Sequence, residues 1–258
     1  MVKKTIYAGT FLCLLGITLG GCSRQKETSQ TFKPKAEFSP ICEALIANAD
    51  KEALRAAYIP LLAKQELLAL VDEKYGLPQD YIPQDLVGQG KIRLRAETYQ
   101  WMKTMQEAAK KDGINLFPIS AYRSYAYQQG LKERTKNPAY VASPGHSQHQ
   151  LGTAIDFNTV NTKDENIPAL QWLKKHAGEY GFSLSFPKGK EAETGYPYEA
   201  WHYRYISKEG VALQDAFFGG NQHKMLLFLN ACLWTPEETL GRIETELAAA
   251  TDLVQNKQ

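Results

Sequence analysis

Five histidines occur in the 258-residue chain, and two of them stand near carboxylates at spacings that suit a metal ion. His149 precedes an apolar segment that contains Asp156, and His202 lies in an aromatic segment. An ionised aspartate within an apolar strand costs free energy unless it is paired or bound to a metal. Two imidazoles and one carboxylate match a catalytic zinc ion whose fourth position is open to water. A zinc site formed by His149, Asp156 and His202 is therefore one interpretation of these residues.

Glu199 is the candidate for proton transfer beside that zinc ion. Zinc lowers the pKa of bound water and polarises a carbonyl, and a nearby carboxylate then acts as general base and later as general acid. Residues three apart on a regular strand face opposite sides, so Glu199 needs a bend near Ala200 to act beside His202. The spacing alone leaves a second interpretation open, in which His202 is a core histidine without a metal.

Periodicity and turn residues predict the elements that must position these groups. Helices are expected over residues 41–58, 96–111, 125–134, 168–180 and 235–250, and strands over residues 116–119, 151–157, 182–186 and 201–206. Gly152 allows the backbone to turn between His149 and Asp156. Short strands mixed with segregated helices predict an α+β fold. We expect a small antiparallel sheet flanked by helices, in one catalytic domain over residues 41–258.

Several sequence segments accompany the predicted site in a fixed order. They are residues 77–87, 120–124 with Gln128 following, 147–156, 180–182, 194–196 and 199–205. Together they cover about residues 67–206 and resemble the VanY-type zinc carboxypeptidases, the D-alanyl-D-alanine and L,D-carboxypeptidases of peptidoglycan. The resemblance implies the hedgehog and D,D-peptidase type of fold.

The resemblance also implies a role for individual residues. By it His149, Asp156 and His202 are zinc ligands and Glu199 is the catalytic base. The implied substrate contacts are Arg123, Gln128, Ser147 and Trp201. The planar fork of Arg123 suits a carboxylate or a developing oxyanion, and it is implied in catalysis for that reason.

Two positions depart from the family pattern. Ala200 stands where a proline is common between the glutamate and the tryptophan, which removes a rigid turn. Ser185 stands where many members have an arginine before the aromatic-proline pair. We expect the change at Ser185 to affect substrate recognition more than catalysis.

The implied function is removal of the C-terminal D-alanine from peptidoglycan stem peptides by a zinc hydrolase, with L,D-carboxypeptidase activity slightly favoured over D,D-activity. One alternative is an endopeptidase that cuts inside the stem, which a cleft open on the carboxylate side would favour. Another is a protein that binds wall peptides through an inactive metal site. The presence of Glu199 argues against the last, because a structural zinc does not need a base.

The N-terminus has the features of an export signal. Lys3 and Lys4 precede an apolar run over residues 6–19, which is too short to span a bilayer comfortably. Residues 19–22 resemble a bacterial lipobox, so we expect residues 1–21 to be a lipoprotein signal peptide and Cys22 to carry lipid. The alternative is a cleaved signal with an incidental cysteine. Residues 22–40 are polar and are expected to tether the domain to the membrane outside the cytoplasm.

Charge and cysteine content limit the partners. The formal net charge of +2 provides no field for nucleic acid. Export permits disulfides, but whether Cys42 and Cys232 pair or are separate apolar residues stays open. We expect a monomer whose partners are peptidoglycan stem peptides and the membrane.

Overall fold

The computed structural model describes residues 49–158, 164 and 166–232. The strands are β1 (Leu86–Gln89), β2 (Ile92–Arg95), β3 (Pro118–Ser120), β4 (Ala154–Phe157), β5 (Phe182–Leu184) and β6 (His202–Tyr205). The α-helices are α1 (Lys51–Tyr58), α2 (Ala96–Lys111), α3 (Tyr125–Arg134), α4 (Pro168–His176), α5 (Glu191–Thr194), α6 (Lys208–Phe218) and α7 (Gln222–Cys232). Short 3₁₀ helices cover Ile59–Lys64, Pro138–Tyr140, Gln148–Leu151 and Ala177–Tyr180. Within these described ranges, no helix combines the length and apolar character needed to cross a bilayer.

Four strands form the sheet that carries the predicted site. Their order is β3-β4-β6-β5, and each neighbouring pair is antiparallel. The strand that comes last in the chain, β6, therefore lies between β4 and β5. Strands β1 and β2 form a separate antiparallel hairpin. The predicted α+β fold, with a small antiparallel sheet flanked by helices, is confirmed.

The two central strands are covered on both faces. Every residue of β4 and of β6 is buried, which explains why the sequence of β4 is nearly continuously apolar instead of alternating. Helix α2 contributes Met102, Met105 and Ala109 to the same core, at the spacing of one helix face. A sheet buried in this way holds its residues in fixed register, which a site built across two strands requires.

Two buried arginines connect the segment before the hairpin to the site-bearing half of the chain. Arg204 on β6 is fully buried and donates from Nη2 to the carbonyls of Leu67 at 2.7 Å and Ala69 at 2.8 Å. Arg95, at the end of β2, donates from Nε to the carbonyl of Leu151 at 3.2 Å. Its other guanidinium nitrogens bind Glu66, Tyr81 and Asp85.

Helices α2 and α3 begin and end at the predicted residues, whereas other boundaries differ. Strand β4 begins at Ala154 because residues 148–151 turn in a 3₁₀ helix, and the helix predicted over residues 168–180 changes to a 3₁₀ helix at Ala177. The hairpin β1–β2 and the helices α5, α6 and α7 were not predicted. The signal peptide, the tether, Cys22, Cys42 and the helix predicted over residues 235–250 lie outside the described residues.

Candidate active site

A tight turn presents His149 beside β4. The 3₁₀ helix Gln148–Leu151 ends at Gly152, which has φ +71°, and the Gly152 N–H donates to the His149 carbonyl at 3.2 Å. Glycine adopts this left-handed conformation without the clash that a Cβ would cause. The Arg95 N–H donates to the Gly152 carbonyl at 2.9 Å and fixes the turn to the end of β2. The predicted turn between His149 and Asp156 is confirmed.

Sheet pairing brings Asp156 and His202 together. They are direct partners in the antiparallel pair β4–β6, and side chains of such partners lie on the same face. His202 Nδ1 lies 3.0 Å from Asp156 Oδ1. Side-chain donor atoms of His149, Asp156 and His202 all lie within 4.8 Å of one another. The three predicted ligands, distant in sequence, therefore converge.

Glu199 reaches the same point from a turn that precedes β6. The His202 N–H donates to the Glu199 carbonyl at 3.2 Å, which closes a four-residue turn. The Glu199 N–H donates to the Phe186 carbonyl at 3.1 Å and anchors the turn. Glu199 Oε2 lies 3.6 Å from His202 Nδ1. The bend required near Ala200 is thus present although alanine replaces the proline common in the family.

Arg123 approaches Oδ2 of Asp156, whereas His202 contacts Oδ1 of the same carboxylate. Arg123 follows β3, and its backbone N–H donates to the His149 carbonyl at 3.2 Å. Its Nη1 lies 3.4 Å from Ser120 Oγ and 3.7 Å from Asp156 Oδ2. Its Nη2 lies 3.5 Å from Ser147 Oγ. The two hydroxyls and the carboxylate orient the guanidinium over the cluster of donors.

The hydrogen bonds of His149 show that the cluster suits a cation. Its Nδ1 lies 2.6 Å from the Ala121 carbonyl, which can only accept, so Nδ1 carries the proton. Its buried Nε2 therefore presents a lone pair, has no hydrogen-bond partner and lies 3.3 Å from Asp156 Oδ2. Two acceptors that face each other inside a protein need a cation between them. The residues thus fit a bound metal ion.

Burial and neighbouring charges set the protonation of the site. Burial, together with the positive charge of Arg123, lowers the pKa of His149 to about 4, so the imidazole is neutral at pH 7. Burial opposes ionisation of Asp156, but its hydrogen bond with His202 helps to hold its pKa well below the usual value. Burial and repulsion from Asp156 raise the pKa of Glu199 to about 8, and Arg123 offsets part of this rise.

A cleft of about 480 Å³ opens over the cluster. Arg123, Asp156, Glu199, Trp201 and His202 line it. A larger, more open groove of about 670 Å³ runs along α4 and contains none of the predicted site residues. The chemistry therefore belongs to the smaller cleft.

Gln128 and Ser147, two predicted substrate contacts, are buried and are not among the residues that line the cleft. Gln128 Nε2 donates to the Ala142 carbonyl at 2.7 Å, so it supports the loop whose Tyr140 forms part of the cleft wall. The Ser147 hydroxyl contacts Arg123, which does line the cleft. Among the predicted contacts, Arg123 and Trp201 are the two that face the cleft.

Sequence reasoning missed the role of two polar residues behind His202. Gln148 Oε1 lies 3.1 Å from His202 Nε2, and Ser185 Oγ lies 2.7 Å from the same oxygen. Ser185 is buried and does not line the cleft, so the expected effect of this position on substrate recognition has no contact to support it. Gln148 adjoins His149 in sequence, but its contact with His202 depends on the fold and has no signal in the spacing.

Two imidazoles and a carboxylate, with a second carboxylate and a guanidinium beside them, are the groups found in mononuclear zinc hydrolases. The model of the VanY family, described as D-alanyl-D-alanine carboxypeptidase, matches residues 91–208. YodJ of Bacillus subtilis strain 168, named as a candidate carboxypeptidase, is 33% identical over 245 residues that cover 79% of this chain and 90% of YodJ. The chain belongs to the VanY family, which confirms the resemblance found in the sequence.

Other relatives agree in fold and in sequence. A D-alanyl-D-alanine carboxypeptidase of Enterococcus faecium is 31% identical over 154 residues, and this chain spans half of that protein's length and matches it over 54% of its own. The structure of the LD-carboxypeptidase LdcB has a TM-score of 0.54 at 34% identity and covers 62% of this chain and 85% of LdcB. A mutant of the D,D-pentapeptidase VanY in complex with Zn(II) has a TM-score of 0.52 at 27% identity. The match covers 62% of this chain and 99% of the VanY chain.

Proposed function

We propose that this chain is an exported, lipid-anchored zinc carboxypeptidase that removes the C-terminal D-alanine from peptidoglycan stem peptides. The observation that carries the proposal is the convergence of three metal donors with Glu199 and Arg123 beside one cleft, which all of them except the buried His149 line. Membership of the VanY family supports the reaction class. A solved VanY relative in complex with Zn(II) supports the choice of metal.

His149, Asp156 and His202 are the residues that would hold the zinc ion. Zinc supplies Lewis acidity, which makes water a better nucleophile at neutral pH and polarises a peptide carbonyl. His149 is already neutral and Asp156 already ionised at pH 7, as ligands must be.

Glu199 moves the protons. Its carboxylate lies at the edge of the cluster, where it accepts a proton from the attacking water and returns it to the leaving amine. The positive charge of a bound cation would lower the pKa of Glu199 from about 8 and so favour the ionised carboxylate that acts as base.

Arg123 positions the substrate and stabilises charge. Its guanidinium faces the cleft beside Ser120, and its fork pairs with the terminal carboxylate or with the oxyanion that develops on the scissile carbonyl. A cation that receives a free carboxylate favours cleavage at the chain end. This feature favours a carboxypeptidase over an endopeptidase.

We infer a preference for L,D-substrates, a tetrapeptide stem that ends in D-alanine after an L-centre. The support is the similarity to the LD-carboxypeptidase LdcB, at 34% identity, compared with 27% for the VanY D,D-pentapeptidase structure. In this proposal the cleft wall near Trp201 and Tyr140 distinguishes an L-centre from a D-centre before the terminal alanine. The centroids of these two rings lie 6.3 Å apart.

Export and anchoring are supported by the sequence of the N-terminus. We propose that a lipid on Cys22 holds a monomeric domain at the outer face of the membrane and that residues 23–40 let it reach the wall. Metabolic labelling with a radioactive fatty acid tests the anchor. Label is expected on the natural chain and not on Cys22→Ala, and equal labelling of both would refute the anchor.

The reaction is tested with the purified, zinc-loaded full chain in detergent and two defined peptides. One is a tetrapeptide stem that ends in D-alanine after an L-centre, and the other is a pentapeptide stem that ends in D-Ala-D-Ala. Mass spectrometry is expected to show loss of one alanine from the tetrapeptide, and a chelator should abolish it. Glu199→Gln should retain zinc and lose at least about 100-fold in turnover. If zinc is bound and neither peptide is shortened, the proposed activity is wrong.

A further inference from the structure

The imidazole of His202 has polar neighbours on two sides. Its Nδ1 lies 3.0 Å from Asp156 Oδ1, inside the donor cluster, and its Nε2 lies 3.1 Å from Gln148 Oε1, outside the cluster. A neutral imidazole carries a proton on one nitrogen only, and the other nitrogen has the lone pair that a metal needs. The neighbour of Nε2 therefore decides whether Nδ1 can bind a metal.

The amide oxygen of Gln148 can only accept a hydrogen bond. Asp156 Oδ1 is an acceptor on the other side of the ring, so without a metal ion the two oxygens compete for one proton. With a cation between the donors, Gln148 Oε1 holds the proton on Nε2 and the lone pair of Nδ1 is directed at the cation. The carbonyl of Ala121 performs the same task for His149, but there it accepts from Nδ1 and directs Nε2 inward. The two histidines thus offer different ring nitrogens, and each is set by one oxygen behind the ring.

Gln148 itself has to be oriented, because a rotated amide would present its NH₂ group and favour the opposite tautomer. Ser185 Oγ lies 2.7 Å from Gln148 Oε1 and can donate its single proton there. A competing acceptor, Gln222 Oε1, lies farther from that hydroxyl, at 3.2 Å. The shorter distance favours donation to Gln148, which keeps the amide oxygen toward His202.

Solvent cannot replace these contacts. Gln148 is 7% exposed, Ser185 is 2% exposed and His202 is 4% exposed. A buried N–H that loses its acceptor finds no water and costs free energy. The tautomer of His202 therefore depends on its protein neighbours, Gln148 and the donor cluster, and not on the surrounding water.

We propose that Gln148, oriented by Ser185, is a positioning residue that fixes the proton of His202 on Nε2 and so makes Nδ1 the metal-binding nitrogen. The inference rests on the proposed function, since that function places a zinc ion between the three donors. The inference assigns a role to Gln148 and Ser185, which do not line the cleft and lie behind the His202 ring, away from the donor atoms that face the metal.

Zinc affinity of the full chain in detergent is the first measurement, by competition with a chromophoric chelator. Gln148→Met keeps the length of the side chain but removes the oxygen, and we expect about 10–100-fold weaker zinc binding. Gln148→Glu keeps an acceptor and should bind zinc within about threefold of the natural chain.

Gln150→Met is the matched control, because Gln150 lies in the same 3₁₀ helix and is also buried. Its side chain donates to the carbonyls of Pro78 and Tyr81 and not to His202. The control should lose stability while its zinc affinity stays unchanged. A loss of affinity equal to that of Gln148→Met would show a general effect of loosening the helix and would overturn the inference.

A spectroscopic measurement separates positioning from a structural role. In zinc-loaded protein labelled with ¹⁵N-histidine, the Nε2 proton of His202 should be protected from exchange with water, because Gln148 accepts it. The signal should persist in Gln148→Glu and Gln150→Met and should exchange rapidly in Gln148→Met. The chain has only five histidines, which simplifies assignment.

A protected Nε2 proton and natural zinc affinity in Gln148→Met would overturn the inference. If that variant does not fold, Ser185→Ala decides instead, because it frees the amide to rotate and should weaken zinc binding by several fold; natural affinity there would overturn the inference. A natural chain that binds zinc and shortens neither stem peptide would refute the proposed activity and leave the role of Gln148 intact.

Discussion

Burial of Glu199 makes the stability of the metal-free protein depend on pH in a way that one substitution should remove. The carboxyl has a pKa of about 8 in the folded chain and an ordinary value of 4.5. Between these values the folded state holds a proton that the unfolded state has lost. The stability of the fold therefore falls as pH rises through this range, and it levels off above about pH 8.

The size of the effect follows from linkage. Between pH 6 and pH 8, the two pKa values of Glu199 predict a loss of about 2 kcal/mol in the free energy of unfolding. His149 acts in the opposite direction, because its pKa of about 4 is below the ordinary 6.5, so the unfolded chain gains protons first as pH falls. That contribution is about 1 kcal/mol over the same interval and is shared by a variant at Glu199.

Urea denaturation in the presence of a chelator, followed by tryptophan fluorescence, measures the effect. The natural chain and Glu199→Gln should differ in unfolding free energy by about 2 kcal/mol more at pH 8 than at pH 6, with the variant the more stable at pH 8. Gln150→Met is the control for this experiment, because it leaves the number of titrating groups unchanged. Gln148→Glu would add a carboxylate and so change the pH profile itself. Parallel pH profiles for the natural chain and Glu199→Gln would refute the argument that burial raises the pKa of Glu199.

Three further predictions test the surroundings of the site. Arg123→Lys should retain zinc but lower kcat/KM by about 100-fold, because an ammonium lacks the planar fork, and steady-state kinetics with the stem peptide checks this. Arg95→Ala should lower the free energy of unfolding by about 2–4 kcal/mol and weaken zinc binding, since it frees the Leu151 carbonyl and two carboxylates, as urea titration and chelator competition would show. Gly152→Ala should lower Tm by several degrees, because the new Cβ would take φ +71° and lie 2.9 Å from Leu86 Cδ2, and an unchanged melting curve would contradict it.

The residue types of the site were predictable because they carry chemistry that an apolar segment does not need. Asp156 stood out as a charge in a buried strand, and Gly152 as the turn before it. The role of β6 was harder to foresee, since only its pairing with β4 places His202 opposite Asp156. The sequence also indicated that a bend had to exist near Ala200, which the turn closed by His202 N–H provides.

Long-range contacts explain what sequence reasoning missed. Gln148 and Ser185 meet behind His202 only because the segment after β5 runs beside β6, where the Ser185 N–H donates to the His202 carbonyl at 3.2 Å. Gln128 matched the family pattern, yet its amide donates to the Ala142 carbonyl and does not line the cleft. Spacing along the chain does not report which side of a packed element a polar group faces.

The position of β6 between β4 and β5 also limits the order in which the sheet and the metal site can form. As the chain is made, β4 and β5 exist before the strand that joins them, so β5 has no partner in the four-stranded sheet until β6 arrives. Insertion of β6 completes the sheet and delivers His202 in one event. The three donors therefore come together only when β6 has paired with β4, so metal binding requires this long-range pairing and serves as a test that it has formed.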